Sequence, residues 1–130
     1  MRFGYTIIYV EAVANTLKFY EEAFGFETRF LHDSGQYGEL ETGETTLAFA
    51  SHSMGEMTLG GRYRKADSTT DPLGIELAFI ADNVATAYER AISAGAISVS
   101  PPVSKPWGQV VAYVRSQEGT LVEICSPMNG

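Results

Sequence analysis

A chain of 130 residues with 45% apolar side chains can bury a core without disulfide or metal staples, so a single-domain protein is expected. Nine basic residues against sixteen acidic ones leave a formal charge of −7 and a pI near 4.7, which disfavours nucleic acid and anionic membrane surfaces and suits a neutral or cationic ligand. The one cysteine, Cys125, excludes an internal disulfide, no apolar run approaches the ~20 residues that span a bilayer, and nothing near Met1 reads as a leader, so a cytoplasmic location is expected.

From Phe3 to Val10 the run FGYTIIYV is β-branched and aromatic and predicts a strand. The period then changes: Val13, Leu17, Tyr20 and Phe24 form an amphipathic helical stripe, and Gly25 stands where a left-handed C-cap belongs. Short β-like runs follow at Glu27 to Leu31, Tyr37 to Glu41 and Thr45 to Ala50, the last two joined by a turn at Thr42, Gly43 and Glu44. Ser51 to Pro72 is polar and without sustained period, which predicts a linker or lid.

Order resumes with a strand from Ile75 to Ala81, a helix from Val84 to Ala94 stopped by Gly95, and a short strand from Ala96 to Ser100. PPVSKP then predicts a stiff corner, and Val110 to Arg115 with Thr120 to Ser126 a hairpin turning at Glu118 and Gly119. Both halves read βαβββ. YTIIYVEAVANT and ELAFIADNVATA superpose without gaps, pairing Tyr5 with Glu76; LAFAS (47–51) pairs with VEICS (122–126), setting Ala48 against Glu123. GQYGEL and GQVVAY begin the corresponding hairpins. The pattern is an internal duplication of a unit of roughly 55 residues.

Glu76 heads the run GIELAFIADNV, and an apolar run of that length is expected to be buried on both faces, where a lone carboxylate is costly to desolvate. Two tandem βαβββ modules, DNV opening the second helix, and PWGQVVAYVRSQEGTLVEICSP closing the chain resemble the vicinal oxygen chelate superfamily, which includes glyoxalase I, extradiol dioxygenases and bleomycin-resistance proteins. The resemblance covers essentially the whole chain. It implies an α+β fold: a single domain over 1–130, with module one at 1–50, the linker or lid at 51–72 and module two at 73–130. The modules form an open, curled barrel of mixed β-sheet with helices on the convex side. It also implies a homodimer whose concave clefts hold a small-molecule ligand.

Metal-dependent members place four His or Glu ligands on the first and last strands of both modules. Carried over, those sites are Tyr5, Ala48, Glu76 and Glu123, of which two are ordinary ligands. The resemblance therefore implies first a binding protein without a cofactor, sequestering a neutral or cationic, partly aromatic ligand. The alternative is a lyase, isomerase or dioxygenase-like enzyme in which Glu76 and Glu123 hold Mn²⁺ or Mg²⁺, helped by Tyr5 or His52, or in which Glu123 alone is a base. Without metal, the two carboxyls are expected to share a proton or to anchor a basic group. Tyr5, Tyr9, Phe49, Trp107 and Tyr113 are the candidate ligand-contacting residues. His32, the basic residues Arg62, Arg64 and Lys65, and the Cys125 thiol are weaker candidates, each read first as surface or core.

Overall fold

The computed structural model describes residues 1–128 and divides the chain into two compact units, with the boundary between Ala66 and Asp67. In the first unit the order is β1 (Tyr5–Val10), α1 (Val13–Phe24), β2 (Glu27–Leu31), β3 (Tyr37–Glu41), β4 (Thr46–Ser51) and α2 (His52–Leu59). The second unit contains β5 (Glu76–Ile80), α3 (Val84–Ser93), β6 (Ile97–Ser104), β7 (Val110–Arg115) and β8 (Leu121–Cys125). Each unit has one four-stranded mixed sheet, ordered β1-β4-β3-β2 and β5-β8-β7-β6, and neither sheet closes into a barrel. The first strand runs parallel to the last in each unit, and the other pairs are antiparallel. Among the described residues no helix is long and apolar enough to cross a membrane.

The pairing registers bear out the repeat. Tyr5 lies opposite Thr46 and Ile7 opposite Ala48, as Glu76 lies opposite Leu121 and Ala78 opposite Glu123. Side chains alternate across a strand, so one face of each sheet meets its helix and the other is left for a site. In the first unit α1 buries Val13, Leu17, Phe19, Tyr20 and Ala23, and ends at Gly25 in the left-handed region (φ 80°). Its close approach depends on Gly38 in β3, where a Cβ would stand 2.6 Å from Leu17 Cδ1.

In the second unit Asn83 caps α3, its side chain accepting from the Thr86 N–H at 3.0 Å. Asn83→Ala is expected to cost about 1 kcal/mol in urea unfolding, and Asn83→Asp to restore most of it.

Two segments differ from expectation. The stretch 51–72 is not a plain linker: Ser51 caps α2, accepting from the Met54 N–H. Only Gly55 of this helix is buried, so it leaves no apolar stripe for a period search to find. Strand β6 continues to Ser104 through Pro101 and Pro102, where a corner is expected. It is the edge strand, where a missing N–H is tolerated, and its register shifts on either side of Ser100. The expectation for β5 is also corrected. It too is an edge strand, with Glu76 and Ile80 exposed and Leu77 and Phe79 turned inward, so Glu76 is not desolvated on two faces.

Arg115, the last residue of β7, is only 8% exposed, and its guanidinium is spent on backbone carbonyls. Nη2 donates to Asp67 O (2.8 Å) and Gly119 O (2.7 Å), Nε also to Gly119 O, and Nη1 to Ser68 O and Thr70 O. The loop from Asp67 to Thr70 is thereby held on the β7–β8 turn. Gly119 permits the contact: its φ is +103°, and a Cβ would stand 2.7 Å from the Asp67 carbonyl carbon and the Ser68 nitrogen.

Candidate functional site

In the second unit one row of paired residues crosses the sheet: Ala78 on β5, Glu123 on β8, Tyr113 on β7 and Ser100 on β6. Tyr113 Oη donates to Glu123 Oε1 at 2.9 Å. Glu76 lies two residues before Ala78 on the same face of β5, beside Glu123. Burial first, then the negative charge of Glu123 and hydrogen bonding with it, hold Glu76 above the usual carboxylate range.

Tyr113 is pushed up to about 12, chiefly by its hydrogen bond to Glu123, then by burial and by the charge of Glu123. The Cys125 thiol is raised by burial and then by its hydrogen bond to Glu123, which makes it a poor nucleophile. The Tyr113 hydroxyl, the Glu76 carboxyl and the Cys125 thiol are thus gathered around Glu123. Beside them Ile80 stands 71% exposed. Chemically this is a pair of neighbouring carboxyl groups, one of them held by a phenol, set on a partly apolar sheet face.

The matching row of the first unit is Ile7, Ala48, Glu39 and Phe30. Its carboxylate has moved one strand over, from β4 to Glu39 on β3. Tyr37 Oη donates to Glu39 Oε2 at 2.8 Å, and burial followed by Glu39 raises the Tyr37 phenol. Arg29 fills the rest: Nε donates to Glu41 Oε2 at 2.6 Å, and Nη1 to Thr46 Oγ1 at 2.9 Å and Glu39 Oε1 at 3.5 Å. The hydrogen bond from Arg29 lowers Glu41.

Arg29 sits at the β2 irregularity between Thr28 and Phe30, as Val99 sits between Ser98 and Ser100 in β6. Sequence reasoning missed Glu39, Tyr37 and Arg29. The signal is the hairpin register: Ser51 N–H donates to Gln36 O as Ser126 N–H donates to Val110 O, so Gln36 corresponds to Val110. Superposing GQYGEL on GQVVAY is off by one residue, and a one-residue slip exchanges the two faces of a strand.

Of the residues expected at a site, Glu76, Glu123 and Tyr113 are brought together. Tyr5 is 57% exposed on the face of β1 that also carries Ile7, and Tyr9 ends that face against Tyr63. Phe49 belongs elsewhere: it is fully buried on the helix side of β4, its ring 4.8 Å from that of Tyr20, because alternation turns it away from Ala48. Trp107 is exposed in the β6–β7 turn, with Nε1 donating to Gln109 Oε1 at 2.7 Å. His32 binds Ser34 locally, and His52 Nδ1 is engaged by the Tyr63 hydroxyl at 2.8 Å.

Residues 3–129 match the glyoxalase-like domain family. The chain belongs to that family, within the vicinal oxygen chelate superfamily. Its fold is shared with a glyoxalase-related enzyme from Fulvimarina pelagi, at 20% identity and TM-score 0.82 over 98% of this chain and 88% of the other. A glyoxalase/bleomycin resistance protein/dioxygenase family enzyme from Burkholderia phytofirmans PsJN is 23% identical, with TM-score 0.79 over 95% and 96% of the two chains. A glyoxalase/bleomycin resistance protein/dioxygenase from Nocardioides is 18% identical, with TM-score 0.74 over 100% and 85%. No curated protein matches the sequence.

Members of the superfamily often bind a metal, and the donors of this chain can be tested for that role. Glu76 and Glu123 supply carboxylates, Ala48 supplies no donor and Tyr5 a phenol. Among the described residues no three His, Cys, Asp or Glu side chains are grouped so as to hold an ion. The donor set does not fit the four-ligand centre.

Proposed function

We propose that the chain binds a small, partly aromatic organic molecule through a cationic or neutral hydrogen-bonding group placed on the Glu76, Glu123 and Tyr113 face. The observation that supports this reading is the clustering of Glu76 and Tyr113 around Glu123, with the Tyr113 hydroxyl donating to it, beside exposed apolar surface. An incoming ammonium or amidinium becomes a partner of Glu123, and the ring rests on the flanking apolar side chains. The overall charge of −7 attracts such a ligand.

Titration with proflavine, a cationic acridine, tests it. Glu123→Gln is expected to weaken binding by about tenfold or more, since a charge-assisted hydrogen bond to the ligand is lost. Unchanged affinity sinks the reading.

The pH dependence has a defined sign. Glu76 is raised in the folded chain, so its contribution is fully present below its ordinary value of 4.5 and is lost as pH rises through the folded value. Unaltered protein should therefore lose stability relative to Glu76→Gln as pH climbs from about 4.5, while its affinity for proflavine rises across the same window. Parallel urea curves for the two chains across that range would contradict it.

The juxtaposition of two carboxyls also supports a second reading, a lyase or isomerase with Glu123 as base and Glu76 as acid. Turnover of the methylglyoxal–glutathione adduct, abolished by Glu123→Gln, is its test.

A further inference from the structure

Tyr63 is held almost entirely by rings. Its side chain stacks on Tyr9 with centroids 4.9 Å apart and planes at 28°, and on His52 at 5.8 Å and 21°. Its hydroxyl meets His52 Nδ1 at 2.8 Å and lies over Gly55, where a Cβ would stand 2.4 Å from the Tyr63 oxygen. Any side chain at position 55 would fill the space that the hydroxyl occupies.

The backbone that delivers this ring is tied only to its own helix end. Gly60 N–H donates to Glu56 O, Gly61 N–H to Gly55 O, Arg62 N–H to Leu59 O and Tyr63 N–H to Gly61 O. Gly60 and Gly61 both lie in the left-handed region, with φ of 62° and 67°. Rotation at these two glycines can withdraw Tyr63 without breaking a ladder hydrogen bond of the sheet. What would remain is a slot walled by the Tyr9 ring, the His52 ring and the bare Gly55 backbone. It adjoins the exposed β1 face of Tyr5 and Ile7.

We propose that Tyr63 is a displaceable occupant of an aromatic slot made by Tyr9, His52 and Gly55, and that the slot takes the phenolic ring of a ligand in its place. The face of the Tyr9 ring selects a planar aromatic group, and His52 Nδ1 at the far end selects a hydroxyl on that ring. The chemistry of His52 agrees: burial and then the charge of Lys65 hold it below its ordinary value, against the opposing pull of Glu11, which favours the neutral ring that pairs with a hydroxyl. Tyr63 is raised by burial and then by Tyr9, and remains the donor. This inference goes beyond the reading at Glu76 and Glu123 and does not rest on it, since the slot is neutral and lies wholly within the first unit.

The test is complementation by p-cresol, the side chain of tyrosine as a free molecule. Tyr63→Ala is expected to bind p-cresol at one site per chain about tenfold more tightly than the unaltered protein, with movement of the His52 ring resonances. Toluene should bind several-fold more weakly, lacking the hydroxyl. Equal affinity of the two chains for p-cresol, or saturation that leaves His52 unmoved, would overturn the proposal.

If Tyr63→Ala does not fold, Tyr63→Phe decides. It keeps the ring and loses the hydroxyl, so p-cresol should displace it at lower concentration than it displaces Tyr63, and no difference counts against the slot. Glu123→Gln should change none of these results, which separates this outcome from that of the proflavine experiment.

Discussion

Phe49→Ala is expected to lower the unfolding free energy by about 4 kcal/mol, the cost of removing a fully buried ring from a packed core. The ring is closed in by Tyr20 of α1 and lies opposite Ile8 and Gly38 on the neighbouring strands, so the site has little room to collapse around the cavity. Tyr5→Ala, an exposed change on the other side of the same sheet, should move stability by no more than about 0.5 kcal/mol. Urea midpoints of the two variants check both statements. A small effect at Phe49 would mean that it does not serve as the keystone between sheet and helix.

Arg115→Met is expected to cost about 3 kcal/mol, because methionine retains much of the aliphatic bulk but leaves the carbonyls of Asp67, Ser68, Thr70 and Gly119 without their charged donor. The loss should be local before it is global. Amide exchange in residues 67–70 should accelerate under conditions where β7 and β8 remain protected. If those amides exchange at the same rate in both chains, Arg115 is not the tie that holds this loop.

Much of the architecture was legible because it is written twice. Each half repeats the same change of period, from 2 to 3.6 and back, and Tyr5 with Glu76 and Ala48 with Glu123 fall at matching registers. The pairing of Glu76 with Glu123 follows from that repeat, and Tyr113 joins them through cross-strand geometry.

What escaped had weak or contrary local signals. Helix α2 buries a single glycine, and β6 runs through two prolines on an edge. Phe49 shows the limit of residue type as a guide: aromatic side chains line cavities and fill cores alike, and only the alternation from Ala48 decides which. Arg29 with Glu39 and Glu41 was hidden by the one-residue slip between the two GQ motifs, which places Glu39 against the inward-facing Ala112 rather than against Tyr113. Arg115 shows nothing in sequence, because its partners are backbone carbonyls, that of Gly119 in the adjoining turn and three others 45 to 48 residues away.

The exchange of Arg29 for Val99 at the equivalent strand irregularity gives the two halves unequal ionic behaviour. The first half carries its own tethered counter-ion, one guanidinium set between Glu39 and Glu41, and that partner cannot diffuse away. The second half has no such tether and must draw its counter-charge from a proton or from solution. An ancestral duplication has thus yielded one half with a built-in counter-ion and one that takes its counter-charge from elsewhere.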